Sequence, residues 1–175
     1  MSLKVSQNTQ RGATAVGITG TIAVVVSLAL PMVWDHEGLR TRAYRDPVGI
    51  PTICFGETLG VKMGDDRTVA ECEDMLGERL VGFVEDMRAC TARALPPKTE
   101  AAFLSFSYNL GTGVYCRNIA GQRINRGRLW EACAALSLYT RAGNPLRELP
   151  GLVRRRAEER ALCEEGLREA NIARN

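Results

Sequence analysis

The sequence predicts an α+β fold in which an N-terminal membrane helix is followed by a small β-hairpin lobe and then by a larger helical lobe. Three observations lead to this prediction: an uncharged stretch over residues 12–34, turn and strand residues over 43–56, and helical patterns beyond residue 68. A chain of 175 residues is long enough for one compact domain and an appended segment. We therefore expect an anchor segment over residues 1–34 and a folded domain over residues 35–175.

The N-terminal stretch reads GATAVGITGTIAVVVSLALPMVW over residues 12–34 and carries no charge. As a helix rising about 1.5 Å per residue, it is long enough to cross a hydrocarbon core of about 30 Å. Lys4 and Arg11 precede it, so the positive-inside rule places the N-terminus in the cytoplasm and the body outside. Glycine, threonine and serine dilute its hydrophobicity, so we expect a weakly held anchor.

Two other interpretations of this stretch remain open. A buried core helix could be equally apolar, although such helices rarely run uncharged for so long. A cleaved signal peptide is the stronger rival, because Ser27-Leu28-Ala29 places small residues where signal peptidase needs them. Pro31 closely follows that possible cut and therefore favours the uncleaved anchor. The anchor and the signal peptide would both export the body.

The first elements of the body are a short helix and a hairpin. Asp35 is expected to begin a helix that is interrupted near Gly38. Residues 43–56 predict a hairpin or short sheet, because turn signals lie among strand-like residues. The turn signals are Asp46-Pro47 and Gly49, and the strand-like residues are Ile50, Ile53 and Phe55.

The remaining elements are predicted to be helices. Thr68 and Glu71 form a capping-box pattern, which predicts a helix from there to about Thr91. A strongly apolar helix is predicted from Thr99 to Leu110, closed by a glycine. Further helices are predicted near residues 117–125, 128–141 and 151–171.

Charge and ligand types exclude several classes of function. Lys4 and Arg11 are the only charged residues before Asp35, so all 20 acidic residues and the other basic residues lie in the body. A nearly neutral body has no broad positive field, which argues against a nucleic-acid binder. The single histidine, His36, and the absence of a CxxC pair argue against zinc. We expect a monomer that uses no metal or organic cofactor.

Six cysteines are spread through the body, and an even count in an exported chain predicts three disulfides. Six cysteines allow about 15 connectivities. We predict the pairing that joins neighbouring elements: Cys54–Cys72, Cys90–Cys116 and Cys133–Cys163. If the chain stayed in the cytosol, the same residues would be free, buried and small hydrophobic side chains.

Two carboxylates and a hydroxyl are the candidate catalytic groups. A nucleophilic triad is hard to build, because only one histidine and no GxSxG elbow are present. Cleavage of a glycosidic bond needs a protonated carboxylic acid near the leaving oxygen and a second, ionised carboxylate. Glu37 could be the acid, Asp46 the carboxylate, and Thr52 a hydroxyl that fixes a water molecule. Judged by spacing alone, it is about equally plausible that these residues have no catalytic role. Glu37 would then be a surface acid, Asp46 a turn residue and Thr52 a strand residue.

Residues 36–60, HEGLRTRAYRDPVGIPTICFGETLG, resemble the active-site stretch of phage-type lysozymes, glycoside hydrolase family 24. The matching positions are Glu37, Gly38, Tyr44, Asp46, Thr52 and Gly56. AFLSFSYNLGTG over residues 102–113 is similar to the core helix of that family, and GLVRRRAEER over 151–160 is similar to its Gly-Leu-x-x-Arg-Arg segment. The resemblance covers roughly residues 35–165.

This resemblance implies a lysozyme-like fold and a muramidase that acts on peptidoglycan and usually inverts the sugar anomer. It implies that Glu37 is the general acid, that Asp46 positions water, and that Thr52 assists. The residues implied in substrate binding or support are Tyr44, Glu57 and Arg155, the last as a partner of Glu37. A lytic transglycosylase and a catalytically inactive peptidoglycan-binding protein remain alternatives.

Two positions depart from the family pattern. Cys54 stands where the family often has glycine, and Glu57 stands where it has histidine. That histidine normally supports the lobe through an acidic partner. We therefore expect a different support here, from the disulfide of Cys54 or from Glu57 itself.

A diluted anchor before such a body resembles the signal-arrest-release endolysins of phages that infect Gram-negative hosts. The resemblance implies an inactive form held in the inner membrane with its body in the periplasm, which becomes active on release into the periplasm. Glu37 lies three residues beyond Trp34, so an embedded helix would constrain the acid. Residues 1–53 contain no cysteine, so we expect activation to reposition Glu37 without thiol exchange.

Overall fold

The computed structural model describes residues 21–174, a helical body that carries two small antiparallel sheets. Its elements are α1 (Ile22–Glu37), β1 (Arg40–Arg45), β2 (Pro51–Cys54), α2 (Val69–Cys90), α3 (Pro97–Leu110), α4 (Thr112–Arg117), α5 (Ile119–Asn125), α6 (Leu129–Ala135) with a 3-10 turn (Leu136–Leu138), β3 (Arg141–Ala142), β4 (Arg147–Glu148) and α7 (Pro150–Glu169). The predicted α+β class, with a small β part and a larger helical part, is confirmed.

Helix α3 forms the centre of the core. Every side chain from Thr99 to Ser107 is buried, because α1, α2 and α7 all pack against it. A helix that is covered on all sides needs apolar side chains around its whole circumference. The sequence of α3 meets this requirement with alanine, leucine and phenylalanine, and its buried polar residues Thr99, Glu100, Ser105 and Ser107 are the exceptions.

Helix α1 packs on α3 through a single stripe. Val25, Ala29 and Val33 are each fully buried and lie four residues apart, which places them on one helix face. The helix ends at Glu37, since Gly38 takes a left-handed conformation with φ 73°. The prediction that Asp35 begins a helix is therefore wrong. Asp35 lies in the last turn of α1, which begins much earlier, at Ile22.

The predicted membrane helix over residues 12–34 crosses the edge of the described range. Residues 12–20 lie outside it, whereas residues 22–34 belong to α1 and pack in the domain. Within residues 21–174, no helix combines the length and apolar content needed to cross a bilayer. The expected boundary between anchor segment and folded domain, at residue 34, thus falls inside α1. In the folded domain, residues 22–34 form a packed helix, as the core-helix interpretation would have it.

Strands β1 and β2 form the predicted hairpin. They pair antiparallel with Tyr44 opposite Thr52, and an irregularity interrupts the register between Arg40 and Tyr44. The connecting turn is closed by the Asp46 amide, which donates to the carbonyl of Ile50 at 3.0 Å. The turn signals in the sequence therefore lie at the tip of the hairpin, as predicted.

The helical predictions hold in outline. The capping box is confirmed, because the Glu71 amide donates to Thr68 Oγ1 at 3.2 Å and the Thr68 amide donates to the Glu71 carboxylate at 2.7 Å. The helix predicted near 117–125 corresponds to α5, and the short helix α4 before it was not predicted. Asn118 separates them, since its side chain accepts from the Gly121 amide at 2.9 Å and caps a new helix.

The helix predicted over residues 128–141 is shorter than expected. It ends at Ala135 and passes through a 3-10 turn into the hairpin of β3 and β4, which was not predicted. Gly143 has φ 88° in the turn between these strands, a conformation that glycine adopts at no steric cost.

The three disulfides follow the predicted pairing. Cys54–Cys72 joins β2 to α2, Cys90–Cys116 joins α2 to α4, and Cys133–Cys163 joins α6 to α7. Each bridge connects neighbouring elements, which confirms the pairing.

Candidate active site

Glu37 is the last residue of α1, and its side chain is 23% exposed. The Arg155 Nη1 atom of α7 donates to Glu37 Oε1 at 2.6 Å. A charged hydrogen bond of this length fixes the carboxyl group in one orientation. Glu37 is therefore held at a helix end, partly open to solvent, where a substrate can reach it.

Arg155 is itself held from two further sides and is only 3% exposed. Its Nη2 donates to the carbonyl of Ser105 at 2.9 Å, and its Nε donates to Glu159 Oε1 at 3.1 Å. Because all three donor directions of the guanidinium are used, Arg155 has one orientation. Through this network, the position of Glu37 depends on how α7 packs against α3.

Asp46 lies at the tip of the hairpin. Its Oδ1 accepts from the amides of Val48 at 3.0 Å and Ile50 at 2.8 Å, an arrangement that orders the turn. The carboxylate is therefore fixed by the backbone of its own turn. The proposed water-positioning group is held by local structure, whereas Glu37 is held by long-range contacts.

Thr52 and Tyr44 are directly opposite each other on the hairpin and share one face of it. Thr52 is 3% exposed, and its hydroxyl donates to the carbonyl of Ile50 at 3.0 Å. The guanidinium of Arg40 lies 4.6 Å from the centre of the Tyr44 ring. The hairpin that carries Asp46 thus also carries Thr52 and Tyr44, and β1 begins three residues after Glu37.

Glu57 fastens the segment after β2 to the helical body. Its Oε2 pairs with Arg79 Nη1 of α2 at 2.9 Å, and the same arginine donates to the carbonyl of Gly56 at 3.3 Å. The Tyr108 hydroxyl of α3 donates to the carbonyl of Phe55 at 2.9 Å. The departure from histidine at position 57 is therefore accompanied by an arginine partner, in addition to the Cys54–Cys72 disulfide.

Four polar residues of the site were missed by the sequence analysis: Arg79, Ser105, Tyr108 and Glu159. Ser105, which lies among apolar residues of α3, was an available signal, because a buried hydroxyl needs a partner. Ser105 Oγ donates to Glu159 Oε1 at 2.8 Å. No local pattern linked Arg79 to Glu57, since the two residues lie on different elements.

Burial and charge shape the titration of this cluster. Burial raises the pKa of the Tyr108 hydroxyl, so it stays a neutral donor. Burial also raises the pKa of Glu159, while Arg156 and Arg155 beside it act to lower that pKa. Among residues 21–174, no three metal-ligating side chains come together in a way that could hold an ion.

Comparisons with known proteins show the family to which the chain belongs. The sequence model of the phage lysozyme family matches residues 34–159. A SAR-endolysin of Pseudomonas phage phiKMV is 37% identical over 129 residues, which cover 73% of this chain and 80% of that protein. A SAR-endolysin of Bacteriophage PS119 is 34% identical over 128 residues, which cover 73% of this chain and 75% of that protein.

Solved structures match over a similar range. The muramidase domain of SpmX from Asticaccaulis excentricus superposes with a TM-score of 0.73 at 28% identity, covering 77% of this chain and 93% of that one. A mutant of P22 lysozyme superposes with a TM-score of 0.71 at 27% identity, covering 79% and 96%. Because the family match runs from the helix end that carries Glu37, through both hairpin strands, to Arg155 on α7, this chain belongs to the phage lysozyme family.

Proposed function

We propose that this lysozyme is an endolysin that hydrolyses the β-1,4 bond between N-acetylmuramic acid and N-acetylglucosamine in peptidoglycan, and so lyses a bacterial host. Glu37 protonates the leaving oxygen, Asp46 positions the attacking water, and Thr52 assists. Attack by water on the face opposite the leaving group inverts the anomeric carbon. The observation that carries this proposal is the 2.6 Å contact between Arg155 and Glu37, which holds the acid beside the start of the hairpin.

The support residues contribute by holding the catalytic groups and the substrate in position. Arg155 orients Glu37 from α7, and Glu57 holds the hairpin to α2 through Arg79. Tyr44 shares the face of the hairpin that carries Thr52 and contacts substrate there. A displacement of about 1 Å between catalytic groups can cost about a hundredfold in rate, so this placement bears directly on catalysis.

The membrane form is a second part of the proposal. Residues 12–34 anchor the chain in the inner membrane with the body in the periplasm, and the enzyme is inactive until the segment leaves the bilayer. Packing of α1 supports this idea: Val25, Ala29 and Val33 face α3 when Glu37 is in place. While lipid covers that stripe, α3 cannot, and Glu37 lacks its support.

The packing of α1 also favours an uncleaved anchor. Ala29 is fully buried within α1, so a cut after it would remove Val25 and Val26 from the core. We further propose that activation needs no thiol exchange, because residues 1–53 contain no cysteine that could displace one of the three bridges on release.

Replacement of Glu37 tests the enzymatic proposal. In the full-length, oxidised protein, we expect Glu37→Gln to lower clearance of purified cell walls by about a hundredfold to ten-thousandfold, since glutamine cannot donate the proton. Turbidity measures the rate, and reducing-end analysis identifies the products. Asp35→Asn is the matched control, because Asp35 is an exposed acid in the same helical turn. It should clear walls at the parent rate.

Two results would count against the proposal. Undiminished clearance by Glu37→Gln would remove Glu37 from the role of acid. Anhydro sugars among the products of the parent would identify a lytic transglycosylase, which needs an acid but no water-positioning carboxylate.

A further inference from the structure

Glu159 is a fully buried carboxylate on α7, next to the acid-orienting Arg155. Its Oε1 accepts from Arg155 Nε at 3.1 Å and from Arg156 Nη2 at 2.9 Å, and Arg156 Nε lies 2.8 Å from its Oε2. Ser105 donates a further hydrogen bond. Removing a carboxylate and two arginines from water is costly, and packing alone would be served by apolar residues of similar volume. The cluster therefore calls for an explanation beyond packing.

Arg155 bridges two carboxylates, since it donates to Glu37 through Nη1 and to Glu159 through Nε. A general acid must carry its proton when it meets substrate. A neighbouring arginine favours the ionised carboxylate and therefore opposes this requirement. Arg156 adds a second positive charge that also acts on Glu37. The negative charge of Glu159 offsets one of these two positive charges.

The other charges that face Glu37 are already balanced. Arg79 of α2 interacts electrostatically with Glu37, but it forms an ion pair with Glu57 at 2.9 Å. Tyr108 of α3 also faces Glu37 and is neutral, because burial raises the pKa of its hydroxyl.

The residue that precedes Glu37 in α1, His36, also has a partner of opposite charge. His36 Nε2 lies 2.7 Å from the carboxylate of Glu158, so any charge it acquires is compensated within that pair. The two arginines of α7 are thus the cations that act on Glu37 most directly, and Glu159 is the carboxylate that lies between them.

We propose that Glu159 is a positioning residue for catalysis: it holds Arg155 against Glu37 and offsets one of the two positive charges beside the carboxyl group that acts as the acid. This inference rests on the proposed role of Glu37 as the acid. Loss of the charge on Glu159 leaves two arginines facing one carboxylate. Without this compensation, the activity that depends on the acid is lost at a lower pH than in the parent.

The test compares kcat/KM for cell-wall clearance across pH in the full-length oxidised protein and its Glu159→Gln variant. Glutamine keeps the size of the side chain and its acceptor oxygen. We expect the alkaline limb of the profile to move to lower pH by about one pH unit, with activity below that limb retained. A loss of activity that is equal at all pH values, with the limb unmoved, would overturn the proposal.

Two further variants keep the proposal testable if Glu159→Gln folds poorly. Arg156→Gln removes a positive charge, so its limb should move to higher pH, and the double variant should return close to the parent. A double variant whose limb stays displaced would overturn the proposal. Glu164→Gln removes a carboxylate from α7 that pairs with Arg160 instead, and should leave the limb in place.

The same assay separates this inference from the function on which it rests. Glu37→Gln is inactive at every pH if Glu37 is the acid. If it is inactive while the limb of Glu159→Gln stays in place, only the role of Glu159 fails. If Glu37→Gln keeps full activity, the proposed function itself fails.

Discussion

At the scale of single residues, a glycine decides how closely α7 approaches α3. A Cβ atom at Gly166 would lie 2.6 Å from both the amide nitrogen and the Oγ1 of Thr99, which is shorter than real Cβ contacts. The approach allows Thr99 Oγ1 to donate to the carbonyl of Cys163 at 2.9 Å. Because Arg155 is on the same helix as Gly166, this spacing also sets the distance from Arg155 to Ser105.

Replacement of Gly166 by alanine should therefore destabilise the protein. We expect a loss of about 1–3 kcal/mol in the free energy of unfolding, because the added methyl group meets backbone atoms that cannot yield easily. Denaturant titration measures the change. Gly82→Ala in α2 is the control, since a Cβ there meets nothing within 4 Å. It should stabilise the helix by about 0.5–1 kcal/mol, and an equal effect of both changes would contradict the packing argument.

At the scale of elements, residues 54–57 tie the hairpin to three helices. The Phe55 ring packs 4.6 Å from the Trp34 ring of α1, and its carbonyl accepts from Tyr108 of α3. The disulfide of Cys54 and the ion pair of Glu57 both connect the segment to α2. Since Thr52 lies just before this segment, the ties set its position relative to the end of α1.

Replacement of Arg79 by glutamine tests this arrangement. The change removes the ion pair with Glu57 and also removes the guanidinium, whose carbon lies 5.3 Å from the centre of the Tyr108 ring. We expect kcat for wall clearance to fall by about tenfold to a hundredfold, because the hairpin is held less firmly. Initial rates of turbidity loss, measured over a range of cell-wall concentrations, separate kcat from KM.

An arginine of the hairpin, Arg42, provides the control. Arg42 lies 3.6 Å from Asp66, and their side chains are 86% and 61% exposed. Exposed ion pairs contribute about 0–1 kcal/mol, so Arg42→Gln should leave both activity and stability nearly unchanged. If Arg79→Gln behaves like Arg42→Gln, the hairpin is held by other contacts.

At the scale of the whole molecule, the disulfides link the hairpin and the helices into one unit. The bridges join residues 18, 26 and 30 positions apart. In the chain-entropy model, loops of these lengths stabilise the fold by about 3–4 kcal/mol each. The bridges therefore stabilise the folded body, which fits a role in the periplasm, where disulfides persist.

Replacement of Cys133 and Cys163 by serine should lower the free energy of unfolding by about 3–4 kcal/mol, as measured by denaturant titration. Clearance by the released, folded enzyme should be retained, because neither residue contacts the catalytic groups. In membrane fractions the variant should stay as inactive as the parent. Activity that appears on loss of a cysteine while the chain is still in the membrane would overturn activation without thiol exchange.

The sequence by itself determined the features that depend on neighbours in the chain. The hairpin turn at Asp46 and the capping box at Thr68 follow from backbone chemistry within a few residues. The order of Glu37, Asp46 and Thr52 is likewise a local spacing, and each cysteine pairs with the next cysteine along the chain. These predictions needed no knowledge of long-range packing.

Tertiary structure decided what lies far apart in the chain. Arg155 reaches Glu37 across 118 positions, and Glu57 finds Arg79 on another element. The sequence alone could not predict where α1 packs. Either lipid or α3 would remove the apolar stripe of Val25, Ala29 and Val33 from water. Hydrophobicity alone does not distinguish these two environments. Only the packed structure places the stripe against α3, and with it the acid at the end of the helix.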